Sequence, residues 1–218
     1  LIIHSKGNIE LFCNNNLIIN NISILESFIK VSPLENFAIS LSKLKGSVLV
    51  DYATVPFAAA TILQNNGGKI ILGEDPIILP KACKNKVELE NARICQERDA
   101  IHMCEFLSWI DRRDENEIDE IDVVIELENI RRKDKNLKEI SFDTIAASGP
   151  NAALPHYRVN YSSNRKIKKG DVLLVDSGGQ YLDGTTDITR TIAIGKQSED
   201  VKNAFTRVLK GLISISML

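Results

Sequence analysis

Asp176 and Asp187 each stand where a β-strand would ordinarily carry an apolar or β-branched side chain. One ends "DVLLVD" and the other interrupts "TTDITRT". The run Val172 to Val175 is wholly apolar, which reads as a strand buried on both faces. A carboxylate at the end of such a strand is costly without a partner, and two brought together repel and raise one pKa. A divalent cation removes that conflict, and two cations can be bridged by shared carboxylates. The residues also allow a purely structural reading, in which Asp187 pairs with Arg190 or a distant Lys and Asp176 caps a turn over Ser177-Gly178-Gly179. Both readings stay open at this level. Asp183, followed by Gly184, reads as a turn residue.

His156 is the third candidate. It lies in "SGPNAALPHYRVN", after a Gly-Pro-Asn break and directly after Pro155, a loop presentation common for functional side chains. Taken alone, an ordinary hydrogen-bonded histidine is the commoner reading of such a residue. Of the others, His4 lies near the start, and His102 reads as part of a solvated helix face with Asp99 and Glu105.

The elements that must position these residues read as α/β followed by α+β. "SVLVDY", "VPFAAATILQNN" and "KIILGED" form a strand, helix and strand of βαβ type, with Thr54 as the helix cap and Gly67-Gly68 as its end. A helix after Ser32-Pro33 precedes them. "PIILPKACKNK", framed by Pro76 and Pro80, reads as an extended connection. The expected organisation is therefore an α/β domain over 1–78, a linker over 79–84 and a second domain over 85–218. Asn85, with Glu88 three residues on, reads as a capping box opening a long helix to about residue 112. Ile94, Ile101, Cys104 and Leu107 trace its expected inner face. A second helix covers about 119–132, with Ile121, Val124, Leu127 and Ile130 inward. Hairpins then follow helices, an α+β order. A two-residue turn at Asp183-Gly184 would pair Asp187 with Gln180. The two aspartates converge only if the first strand bends, and Gly178-Gly179 supplies that freedom.

The bulk properties exclude several classes. The 218 residues carry 27 basic and 29 acidic side chains without a long run of one sign, so no nucleic-acid partner is expected. The apolar runs fall far short of the ~20 residues of a bilayer span, so no membrane partner is expected either. Cys13, Cys83, Cys95 and Cys104 form no CxxC pair, which reads as reduced thiols in a cytoplasmic protein. The chain opens without Met inside an expected hairpin and ends inside an expected helix, so a longer protein is expected on both sides.

The order Gly149-Pro150-Asn151…His156-Tyr157, then Leu174-Val175-Asp176-Ser177-Gly178…Gln180-Tyr181, then Asp183-Gly184-Thr185-Thr186-Asp187-Ile188-Thr189-Arg190-Thr191 resembles the Xaa-Pro aminopeptidases (aminopeptidase P). These are pita-bread metallopeptidases, grouped with prolidase, creatinase and methionine aminopeptidase. "LPKACKNKVELENAR…RDA" looks like the entry into their catalytic domain. The resemblance implies that residues 1–78 are a partial creatinase-like middle domain and 85–218 the N-terminal half of a pita-bread catalytic domain. Asp176 matches the first metal ligand and Asp187 the aspartate that bridges two metals. His156 matches the histidine that contacts substrate near the scissile bond, a catalytic and substrate-binding role. The implied cofactors are two divalent ions, Mn²⁺ or else Zn²⁺ or Co²⁺. They lower the pKa of a water and polarise the carbonyl before proline, so that one N-terminal residue is released. The implied partners are peptides with an N-terminal Xaa-Pro, and a homodimer is possible.

The departure from the family pattern is its remaining ligands, a histidine in a His-Gly segment and two glutamates, which come later in family chains. No histidine follows His156 here. The expectation is an internal fragment that binds metal poorly and has no peptidase activity on its own. Prolidase shares the aspartate pair and is the nearest rival. A metal-free pita-bread module that binds peptides or proteins is the non-enzyme alternative.

Overall fold

The structure, a computed structural model, describes residues 1–14, 16, 22–114 and 117–218. It divides into two compact units, Leu1–Cys83 and Lys84–Leu218.

In the first unit, β1 (Ile2–Ile3) and β2 (Ile9–Phe12) pair antiparallel. β2 continues in parallel with β3 (Lys30–Ser32), which follows a short helix α1 (Ile22–Glu26). Beyond α2 (Asn36–Lys43) comes the βαβ unit, in which β4 (Gly46–Asp51) and β5 (Gly68–Gly73) run parallel and are joined by α3 (Phe57–Asn65). Ile2, Phe12, Leu41, Ala59 and Leu63 form its core, with the Phe12 and Phe37 rings edge to face at 5.3 Å. Thr54 does not cap α3. Its hydroxyl donates to Asp51 Oδ2 (2.5 Å), and α3 starts two residues later than expected, behind Pro56 and without a side-chain cap. The stretch expected to be extended instead contains α4 (Ile78–Ala82). Pro80 is tolerated there because the first turn of a helix needs no N–H from it.

The second unit opens with α5 (Lys86–Asp111), held by a reciprocal capping box between Asn85 and Glu88. α6 (Glu120–Arg132) carries a second capping box, Asp119 with Asp122, and ends on Arg131 and Arg132, where cations suit the helix dipole. Then follow β6 (Leu137–Ile140), β7 (Ile145–Ser148), a 3₁₀ turn over Gly149–Ala153, β8 (Val172–Ser177), β9 (Gly179–Tyr181), β10 (Ile188–Ala193) and α7 (Glu199–Ser216). β8 lies between β10 and β7 in an antiparallel sheet, while β9 pairs with β6. α7 buries none of its residues.

One face of the three-stranded sheet packs on α5 and α6. Leu173, Val175 and Ala146 meet Met103, Phe106, Ile110, Val123, Leu127 and Ile130 there. The buried face of α5 is not the expected Ile94–Ile101–Cys104–Leu107 stripe, of which Ile94, Ile101 and Cys104 are exposed. The face is Cys95, Asp99, Met103, Phe106 and Ile110. Apolar periodicity missed it because a buried carboxylate sits in its middle. Asp99 and Arg131 have fully buried side chains and form a two-point ion pair, Nε to Oδ1 at 2.8 Å and Nη2 to Oδ2 at 3.1 Å. Leu127 and Ile130 of α6 point inward as expected and Val124 packs half-buried against the core, while Val123, Glu120 and Arg131 are buried as well.

Candidate functional site

The other face of the sheet carries the candidate residues. Asp176 stands opposite Ile145 of β7 on one side and Thr189 of β10 on the other. Side chains alternate along a strand and directly paired residues share a face, so Ile145, Leu174, Asp176 and Thr189 form one surface. They line an open cavity of 350 Å³ together with Ala152, Leu154, Pro155 and His156. Asp176 and His156 thus border the same space. A smaller cavity of 160 Å³, lined by Ile110, Arg113, Ile167, Lys169 and Gly195, holds none of the candidates.

Asp187 reaches the same face through a register the expected turn would not produce. Ile188 pairs with Ser177, and the same alignment continues to an isolated bridge between Gln180 and Thr185. Asp187 therefore falls opposite Gly178, and not opposite Gln180 as a turn at Asp183-Gly184 would require. It lies one diagonal step from Asp176, on the same side. The turn falls on Leu182-Asp183, one residue earlier than expected, and the Tyr181 N–H closes it on the Gly184 carbonyl at 2.8 Å. β8 stops at Ser177, and after Gly178 the chain turns away to pair with β6. At Gly178 only glycine fits, because a Cβ would overlap the Thr186 carbonyl oxygen. The Gly179 N–H then bonds the Thr186 hydroxyl at 2.9 Å.

The two carboxylates differ in setting. Asp176 is half-buried and accepts a hydrogen bond from the Thr189 hydroxyl (2.7 Å). It does not cap the turn after it. Asp187 is exposed, contrary to the expectation of a buried charge, since the adjoining strand covers it on one side only. Arg190 does not pair with it among the described residues and donates to the Thr189 carbonyl (2.8 Å). Two oxygen donors on one face, neither held by Lys or Arg among the described residues, suit a hard divalent cation. Among the described residues no group of three or more His, Cys, Asp or Glu is gathered to hold a metal.

His156 is exposed and has φ +58°, the left-handed region that residues other than glycine seldom adopt. Both ends of its loop are fastened from below. Glu120, fully buried at the start of α6, accepts hydrogen bonds from Ser148 N–H (2.7 Å), Asn151 Nδ2 (3.0 Å) and the Tyr157 hydroxyl (2.9 Å). Burial, with the Glu120 charge beside it, pushes the Tyr157 phenol above its usual range, so the hydroxyl stays a donor.

The hairpin is fastened to α5. Arg98 grips Asp183 at two points (2.9 and 2.7 Å), bonds Asp134 (2.6 Å) and lies over the Tyr181 ring at 4.9 Å. Asp183 is therefore an anchored turn residue, and its carboxyl is held below the usual range by the Arg98 hydrogen bonds. The Tyr181 hydroxyl donates to Asp99 (2.6 Å). Burial pushes Asp99 up, but bonds from Arg131 and Tyr181 outweigh it and leave its pKa lowered. His102, expected on a solvated face, has a side chain only 13% exposed and lies 3.6 Å from Asp99. Gly184 approaches α5 so closely that a Cβ would sit 3.0 Å from the Cys95 Cβ.

Arg98, Asp99, Arg131 and Glu120 shape the site yet were not singled out from the sequence. Acids and bases on amphipathic helices read as solvated. The available signal was the polar residue in each otherwise apolar stripe, Asp99 between Cys95 and Met103 and Arg131 beside Ile130.

Comparison with known proteins adds the following. Residues 90–217 match the model of metallopeptidase family M24. The chain is 48% identical over 143 residues to the probable Xaa-Pro aminopeptidase P of Coccidioides posadasii (strain C735), covering 64% of this chain and 22% of that protein. A probable Xaa-Pro aminopeptidase P of Neosartorya fischeri is 46% identical over the same length, with 22% of it covered. The chain thus spans less than a quarter of these curated relatives. Among solved structures, the X-prolyl aminopeptidase of Caenorhabditis elegans, described as a cytosolic enzyme with a di-nuclear active site, superposes with a TM-score of 0.77 at 28% identity, covering 88% of this chain and 33% of that one. The Xaa-Pro dipeptidase of Bacillus anthracis superposes with a TM-score of 0.71 at 22% identity, covering 92% and 56%.

Proposed function

The chain belongs to metallopeptidase family M24, and from that premise we propose that the protein carrying it is a metal-dependent aminopeptidase that releases the N-terminal residue from peptides with proline in second position. Its fold is the mixed α/β fold of the pita-bread metallopeptidases, of which it covers a part. We read residues 1–78 as a partial creatinase-like domain and 85–218 as the N-terminal half of the catalytic domain.

The observation that carries this reading is the register that sets Asp187 diagonally beside Asp176 on the open face of the sheet. Asp176 and Asp187 would hold the metals. Two divalent ions, which we take to be Mn²⁺, would supply the Lewis acidity that a tertiary Xaa-Pro amide demands. Thr189 orients the Asp176 carboxylate by donating to its Oδ1. His156, on the rim of the same cavity, would bond the peptide near the scissile amide, and the wall of Ile145, Ala152, Leu154 and Leu174 would shed water from it. Two carboxylates make only part of a metal pair's ligand set, so the 218-residue chain alone is expected to bind metal poorly and to turn over no peptide. Among the described residues no helix is long and apolar enough to cross a membrane. With four free cysteines we place the protein in the cytoplasm.

The test is to assay the full-length polypeptide containing this sequence, with Mn²⁺, on Ala-Pro-Ala and on Ala-Pro. Release of alanine from the tripeptide with little attack on the dipeptide supports the aminopeptidase. The reverse preference would establish the prolidase reading, and cleavage of neither would defeat both.

A further inference from the structure

Nothing in the reaction proposed above uses Glu120, yet its burial and its partners are specific. A carboxylate with no exposed surface is expensive unless every lone pair is used. Among the described residues, it draws its side-chain hydrogen bonds from neutral donors only: Ser148 N–H, Asn151 Nδ2 and the Tyr157 hydroxyl. Those donors are not scattered. Ser148 ends β7 just before the Gly149–Ala153 turn, Asn151 lies within that turn, and Tyr157 directly follows His156. One carboxylate therefore fastens both ends and the middle of the segment that walls the cavity.

That segment needs fastening, because His156 holds φ +58°, a conformation that is costly for an L residue and persists only when its surroundings enforce it. Tyr157 supplies the enforcement at the very next residue. Its ring is buried against Ile145 and Ala147, and its hydroxyl is fixed to Glu120 at 2.9 Å.

We propose that Glu120 is a positioning residue, acting through Asn151 and Tyr157 to hold His156 in its strained conformation on the rim of the cavity that contains Asp176. The proposal rests on the aminopeptidase reading for its functional consequence, though not for the positioning itself. The chemistry asks for a carboxylate. Glutamine offers one acceptor oxygen and turns an NH₂ toward Asn151 Nδ2, donor against donor, and it leaves the Tyr157 hydroxyl to swing to the Ser163 carbonyl at 3.1 Å. Exchanging the partner restores the match, since an aspartate at position 151 would accept from that NH₂.

The experiment uses the full-length polypeptide with E120Q, H156A, E120Q/H156A, E120Q/N151D and Y157F. The first readout is the ¹H–¹³C resonance of the His156 imidazole, assigned by its loss in H156A, with His102 as an internal reference. E120Q and Y157F should shift the His156 resonance and leave His102 in place, and E120Q/N151D should move it back. The second is kcat/KM on Ala-Pro-Ala. A displaced reacting group of this kind loses roughly tenfold to a hundredfold. E120Q should lose that much alone but less than about twofold in the H156A background, as coupled residues do. If E120Q fails to fold, Y157F, which keeps the ring in place, carries the same test. An unmoved His156 resonance, or losses that multiply in E120Q/H156A, would overturn the proposal. If wild type itself cleaves no peptide, the aminopeptidase reading fails, and the imidazole resonance still decides the positioning.

Discussion

Replacing Asp99 by asparagine should destabilise the second unit more than any surface change in it. Asp99 and Arg131 have no exposed side-chain surface, and their two bonds are 2.8 and 3.1 Å long. In Asp99→Asn one oxygen still accepts from Arg131 Nε and Tyr181. The new NH₂, however, meets Arg131 Nη2, donor against donor. Arg131 Nη1 already lacks a hydrogen-bond partner among the described residues, so the guanidinium would stay buried with its charge uncompensated. Breaking one side of such a pair costs about 3–5 kcal/mol, a large share of the ~5–15 kcal/mol that holds a typical domain. Trp109 is the one tryptophan of these 218 residues and stacks on core residue Phe106 at 6.0 Å, so in this chain its fluorescence reports unfolding of the second unit. With a urea slope of about 2 kcal/mol per M, the midpoint should fall by roughly 1.5–2.5 M. The double substitution Asp99→Leu with Arg131→Met removes both charges together and should cost less than Asp99→Asn by itself. An Asp99→Asn midpoint within about 0.5 M of wild type, or a double variant less stable than the single one, would refute this account of the core.

Other outcomes follow from the hairpin's anchors. The Asp183 carboxyl is held low by Arg98, so its stabilising contribution is complete above the unfolded value near 4 and is lost as pH falls through the depressed folded value. Arg98→Ala should therefore lower stability at pH 7 and flatten its decline below about pH 4, read from Trp109 in urea titrations across pH. At Gly178 a Cβ would overlap the Thr186 carbonyl oxygen, so Gly178→Ala should cost about 1–3 kcal/mol by the same assay and displace Asp187 from its place beside Asp176.

Local chemistry was legible in the sequence wherever a residue acts on its near neighbours. The Asn85–Glu88 box, the βαβ unit and the antiparallel pairing of β8 with β10 all rest on short-range signals and are found in the structure. What escaped notice depends on distant partners. The inner face of α5 is set by Asp99, which looks solvated until Arg131, 32 residues away, is brought against it. The hairpin turns at Leu182-Asp183, where Arg98 of α5 grips Asp183, and this one-residue displacement moves Asp187 from opposite Gln180 to opposite Gly178. Thr54 was assigned to the helix after it, although Asp51, three residues before, holds its hydroxyl. For the candidate site, the ordered motifs pointed to Asp176, Asp187 and His156. The post beneath His156 could not be read, because an acid in the first turn of a helix is ordinary and nothing local marks Glu120 as buried.

The central claim is that Asp176 and Asp187 are metal ligands, and the most direct measurement is calorimetric titration of Mn²⁺ into the metal-stripped full-length polypeptide. Wild type should bind two ions per chain. Asp187→Asn should lose tight binding of both, while Asp143→Asn, at a carboxylate with an 81% exposed side chain, should bind as wild type does. Two ions bound with unchanged affinity by Asp187→Asn would contradict the account.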